Sequence, residues 1–186
     1  MVNLKPSFLS VGKHSPFADT DPKILIVGLG DPRCGDDGVG VHAVRLIRRQ
    51  HPYFWDHDVT ILEAGVELLC ALCALEGVDL VLVIDAMRAG AAPGTVHPVD
   101  EPDLTEWDIQ TGPREKDLCN ALRLMIGPLP HVAVLGVEPE NADDGRELSQ
   151  TVKRALPGVA ATAVDYVRRW INTPLGAASA ASSGVR

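Results

Sequence analysis

Residues 23–49 read KILIVGLGDPRCGDDGVGVHAVRLIRR, and the fold turns on them. Residues 23–29 (KILIVGL) form an apolar run that stops at Gly30, the pattern of a strand buried on both faces. From Val39 the period changes. Val41, Val44 and Ile47 fall on one side, with Arg45, Arg48 and Arg49 on the other, which predicts an amphipathic helix. A buried strand, a glycine-lined loop and a helix in that order open an α/β unit.

The rest of the chain repeats the alternation. Residues 58–63 (DVTILE) predict a second strand and residues 66–75 a short apolar helix. Residues 79–85 (DLVLVID) predict a third strand, central by composition, and residues 95–99 a fourth, after the turn AAPG. Residues 116–125 place Leu118, Leu122 and Met125 on one helical face. A fifth strand is expected at residues 132–137 (VAVLGV), then a long helix over 148–171, interrupted at Pro157. The expected fold is α/β, a three-layer helix–sheet–helix sandwich with a five-stranded, mostly parallel sheet. The connection between the third and fourth strands is short for a crossover helix, so the fourth strand is expected to be antiparallel and on an edge.

A length of 186 residues suits one domain. Residues 1–22 are polar and proline-punctuated and read as a flexible N-terminal arm. Residues 23–171 read as a single α/β domain, and the small-residue sequence 172–186 as a disordered tail. With 17 Lys+Arg against 25 Asp+Glu, the net charge of −8 argues against a nucleic-acid binder. No apolar run is long enough for membrane insertion, and the first 22 residues lack the apolar core of a secretory leader. Cys34, Cys70, Cys73 and Cys119 are expected as free thiols in a reducing cytoplasm. The Cys70-x-x-Cys73 pair has no second pair at zinc-binding spacing and reads as buried thiols.

In an open α/β sheet the site lies outside the carboxyl ends of the strands. After the first strand, Arg33 stands where a dinucleotide loop needs its third glycine, and no Gly-Lys-Ser/Thr of a P-loop follows. The loop offers Asp31, Asp36 and Asp37 instead. Either Asp36 or Asp37 can cap the helix that follows. One cap suffices, so the other carboxylate is available to attract a cation. After the third strand comes Asp85, at the end of an apolar run where a carboxylate must be paired or coordinated. If the first and third strands are neighbours, Asp37 and Asp85 converge, and facing carboxylates imply a shared proton or a metal. Glu138 and Glu140, after the fifth strand, read as solvated loop acids. The six histidines show no ligand spacing; His42 is expected to face outward beside Arg45, His97 lies within the fourth strand, and His131 opens the fifth. No G-x-S-x-G elbow or Cys/His nucleophile pair is present. A magnesium-dependent phosphoryl-transfer domain would want Lys or Ser/Thr after the fifth strand, where Glu138-Pro139-Glu140 stands.

GLGDPRCGDDGVG (28–40), VIDAM (83–87), APGTV (92–96) and VLGVEPE (134–140), as an ordered set, resemble the hydrogenase maturation endopeptidases. The resemblance spans residues 24–170, and its first block is the most specific part. It implies an endopeptidase that removes the C-terminal extension from the large-subunit precursor of a nickel–iron hydrogenase once nickel is inserted. It implies nickel supplied by the substrate, or a divalent ion in its place, and no organic cofactor. The metal would be sensed, and the reaction carried, by an acidic residue of the first block, here Asp37, and an aspartate after the third strand, here Asp85. The family's histidine ligand is expected near Thr111, where the chain has none, and Asp31 replaces the usual asparagine. Asp108, Glu115 or Asp117 in an all-oxygen site, or a histidine from elsewhere in the fold, are the ways to complete the set. The alternative is a non-catalytic or specialised homologue that binds the hydrogenase subunit without cleaving it. The irregular stretch 100–115 is the expected source of substrate specificity.

Overall fold

The computed structural model describes residues 22–52, 57–65, 77–100, 130–141 and 147–172. The expected helices at 66–75 and 116–125, Cys70, Cys73, Cys119, the segment around Thr111, the arm up to residue 21 and the tail from residue 173 lie outside the described residues.

Apolar runs become strands where the sequence predicts them: β1 (Ile24–Leu29), β2 (Val59–Gly65), β3 (Leu80–Ala86), β4 (Val96–Asp100) and β5 (His131–Val137). They form one sheet in the order β2-β1-β3-β5-β4, with β3 at its centre. β1 pairs in parallel with both β2 and β3, and β3 in parallel with β5. β4 pairs antiparallel with β5 at the sheet edge. That place also admits Pro98, which has no N–H to give a second neighbour.

Two helices, α1 (Val39–Gln50) and α2 (Gln150–Asn172), cover one face. Ile26, Leu82, Ile84 and Leu135 point towards them and meet Val44 and Ile47 of α1 and Val159, Ala163 and Val167 of α2. Strand alternation sends Leu25, Val27, Val81, Val83 and Val134 to the opposite face, which is also buried. Both faces are therefore withdrawn from water, as the continuous apolar runs require. No helix among the described residues is long and apolar enough to cross a membrane.

Pro157 does not interrupt the last helix, which runs unbroken through it. Proline removes one donor and leaves the carbonyl four residues back unpaired. Pro157 and Lys153 both lie on the exposed side, where water can solvate that carbonyl, while Val152 and Val159 stay buried. Packing on the sheet outweighs the lost bond.

Candidate active site at the carboxyl rim of β1 and β3

The chain leaves β1 for β2 on one side and returns to β3 on the other. The crevice between the carboxyl ends of β1 and β3 is therefore the switch point of the sheet, where α/β folds open a site. The loop after β1 and the exit of β3 border it.

Backbone contact brings these two borders together. A Cβ on Gly40 would collide with the carbonyl oxygens of Ile84 and Leu29, so only glycine lets the first turn of α1 rest on the ends of β3 and β1. Gly30 has φ +100°, and a side chain there would strike the Asp37 carbonyl. Glycines at 30 and 40 thus press the turn containing Asp37 onto the rim. Asp37 lies in a short 3₁₀ turn (Gly35–Gly38), and Asp85 is the sixth residue of β3, one beyond Ile84. β1 and β3 are in register, with Gly28 opposite Ile84. The two sequence-predicted carboxylates therefore issue from adjacent points of one rim.

Their surroundings differ. Asp37 is half-buried, and its Oδ2 accepts the Asp31 backbone N–H at 2.6 Å, which closes the loop on itself. Asp85 is buried, and its Oδ1 accepts the N–H of Ala86 at 2.8 Å. Among the described residues no three His, Cys, Asp or Glu side chains are grouped so as to hold an ion. The two carboxylates can thus offer oxygen ligands or move a proton. The rest of a coordination sphere must come from elsewhere.

Asp36 and Asp37 do not cap the helix: neither the 3₁₀ turn nor α1 has a side-chain cap. Asp36 points inward instead and is fully buried. Its Oδ2 accepts the N–H groups of Glu140 and Asn141, each at 2.9 Å, and its Oδ1 that of Ser149 at 2.7 Å. The Asp36 N–H donates to the Asn141 carbonyl at 3.0 Å. One carboxylate thus ties the loop after β1 to the two ends of the connection from β5 to α2. Three backbone donors compensate for burying its charge.

Glu138 is not a solvated loop acid. It is buried, and it accepts from Ala89 at 2.9 Å and from Gly90 and Ala91 at 3.2 Å each. His97 Nε2 lies 3.2 Å from its Oε2. These backbone donors, Ala89 foremost, hold the Glu138 carboxyl below the usual range against desolvation, which pushes it up. The segment that leaves Asp85 is thereby fixed to β5 and β4. Glu140, in contrast, is exposed, as expected of a loop acid. The signal for Glu138 was present in the sequence: it directly follows an apolar strand, just as Asp85 ends one.

The Arg33 guanidinium, hydrogen-bonded at 3.0 Å, holds Asp31 down to about 2, so Asp31 stays ionised. Desolvation and the neighbouring Asp31 carboxylate push the exposed Cys34 thiol up, the opposite of what a thiolate nucleophile needs. His42 does not face outward. It is half-buried, and its Nε2 is enclosed with no hydrogen-bond partner.

Comparison with known proteins points one way. A family model described as hydrogenase maturation protease matches residues 41–166, a stretch that includes Asp85 and begins just past Asp37. The hydrogenase expression/formation protein HupD of Thiocapsa roseopersicina is 27% identical over 160 residues, covering 81% of this chain and 70% of its own. HupD of Rhizobium leguminosarum bv. viciae is 29% identical over 157 residues, covering 80% of this chain and 76% of its own. Among solved structures, the hydrogenase maturating endopeptidase HybD from E. coli superposes with a TM-score of 0.69 at 21% identity, over 79% of this chain and 93% of that one. The [NiFe] hydrogenase maturation protease HybD from Thermococcus kodakarensis gives 0.65 at 20% identity, over 77% and 98%. At these identities the solved structures establish the shared fold.

Proposed function

Because the chain belongs to the hydrogenase maturation protease family, we propose that it is an endopeptidase that removes the C-terminal extension of a nickel-loaded large-subunit precursor, with Asp37 and Asp85 as its working carboxylates. The observation that carries this reading is the contact of Gly40 with the Ile84 carbonyl, which sets the turn bearing Asp37 beside the strand end bearing Asp85 at the sheet's switch point.

Peptide hydrolysis needs a polarised carbonyl, an activated water and a proton for the leaving amine. The client's own nickel, as part of the substrate, would supply the Lewis acid. Asp37 and Asp85 would complete its coordination with oxygen, so that only a metal-loaded client is held in place. One of the two would take the proton from water and return it to the departing amine. Asp36 touches no substrate in this scheme: its three backbone bonds hold the loop that presents Asp37. Glu138 serves the exit of β3 in the same way. The exposed, unpaired Cys34 suits the reducing cytoplasm in which we place this reaction.

Thr111, where the resemblance expects a histidine, favours a second reading, in which the protein binds the hydrogenase subunit without cutting it. Threonine is a poor substitute for imidazole as a nickel ligand. One assay decides between the two. Nickel-loaded and nickel-free precursors are incubated with the protein, and the released tail is followed by mass. The peptidase reading expects loss of the tail from the loaded precursor alone. A loaded precursor that stays intact with this protein, yet is cut by a related protease, would overturn the peptidase reading and favour binding without cleavage.

A further inference from the structure

On the helical face, between α1 and the first half of α2, lies a groove of about 610 Å³. Leu46, Leu148 and Leu156 give it an apolar lining. Its rim is cationic: Arg45, Arg48, Arg49 and Lys153 stand against Glu147 alone. Arg45 and Arg48 already pair with Glu63 of β2, at 2.9 and 2.5 Å. Arg49 and Lys153 are exposed and form no ion pair among the described residues. Such a surface runs against the charge of a chain whose net value is −8.

The groove is joined to the site loop. His42 lines it, and the imidazole hydrogen-bonds the Pro32 backbone. Proline has no N–H, so the Pro32 carbonyl is the acceptor, and the Nδ1–H is the donor because Nε2 has no partner. Leu148, at the same end, precedes Ser149, whose N–H is held by Asp36. A chain segment lying between the helices is therefore led towards the rim that carries Asp37.

We propose that this groove docks an acidic segment of the precursor, with its carboxylates on Arg49 and Lys153 and an apolar side chain over Leu46 and Leu156. The proposal rests on the peptidase reading for the identity of the client. Charge complementarity commits it to that chemistry, since a cationic rim around an apolar floor rejects basic segments and holds a polyanionic one only in part. The contact sets affinity and orientation and leaves the hydrolytic step to the rim.

The test compares the full chain with an Arg49→Glu/Lys153→Glu variant and a charge-preserving Arg49→Lys/Lys153→Arg variant. Both positions are exposed, so both variants are expected to fold, and circular dichroism verifies it. Kd for the purified nickel-loaded precursor is measured at about 50 and about 300 mM salt, along with KM and kcat for tail removal. The reversed variant is expected to bind at least about tenfold more weakly at low salt, with kcat unchanged and the gap closing at high salt. The charge-preserving variant should match the parent. Unchanged affinity on reversal, or no binding of the precursor by the parent, overturns the proposal, and the groove then belongs to another occupant, a segment of this chain included. Groove-dependent binding without tail removal keeps the proposal and sinks the peptidase reading. Tail removal with both kcat and KM indifferent to the reversal does the opposite.

Discussion

The carboxylate of Asp36 accepts the backbone N–H of Ser149 at 2.7 Å, across 113 positions of sequence. With Glu140 and Asn141 on its other oxygen, it fastens the loop that carries Asp37 to the segment entering α2. Truncation by Asp36→Ala leaves three donors without their acceptor, at about 1–3 kcal/mol for each buried group left unpaired. A loss of roughly 3 kcal/mol or more in urea unfolding is expected, with Asp36→Asn in between because the amide oxygen still accepts. A change within experimental error would mean that the knot does not hold the loop.

Glu138 makes stability depend on pH in a defined window. Its carboxyl titrates below the ordinary glutamate range in the folded chain because Ala89, Ala91, Gly90 and His97 bond its charged form. The unfolded chain therefore takes up this proton first as pH falls. The contribution is complete above about 4.5, and it is lost as pH drops through the lower, folded value. Urea midpoints of the parent and of Glu138→Gln, measured from pH 7 to 3, should differ most above 4.5 and converge in acid. A gap that widens in acid would reverse the assignment.

At Gly40, a single methyl group probes how closely α1 sits on the sheet. Gly40→Ala drives a Cβ into the Ile84 carbonyl oxygen. The helix must lift, at a cost of about 1–3 kcal/mol. Because Asp37 lies just before this contact, tail removal should fall even under conditions where the variant is fully folded. Full activity in a stable Gly40→Ala protein would show that the seating of α1 does not position the rim.

How much of this was legible in the sequence varies with the range of the force involved. The five strands, α1 and the presence of α2 were, because burial on two faces demands unbroken apolar runs such as ILIVGL and one-sided burial demands the Val41/Val44/Ile47 spacing. The antiparallel edge strand followed from a connection too short to cross the sheet. What was not legible depends on partners distant in sequence. Asp36 looked like a helix cap because local capping is the commonest use of such a residue. Its true partners lie more than a hundred positions away. For Glu138 the sequence carried half of the signal, its place directly after an apolar strand, but the partners that bury it, the backbone donors of Ala89, Gly90 and Ala91, leave no side-chain signature. Pro157 looked like a break because the energy of packing α2 on β5 and β3 is absent from its own heptads.

In the proposed reaction Asp37 and Asp85 act as a unit on one client-borne ion. The most direct measurement is tail removal from the nickel-loaded precursor by Asp37→Asn, by Asp85→Asn and by the double variant, at saturating substrate. Groups that act together lose their effect together. Each single variant should fall by about a hundredfold or more, equivalent to roughly 2.7 kcal/mol of barrier, with the double variant no worse than the poorer single one. Undiminished tail removal in either single variant, or losses that simply multiply in the double, would contradict the account.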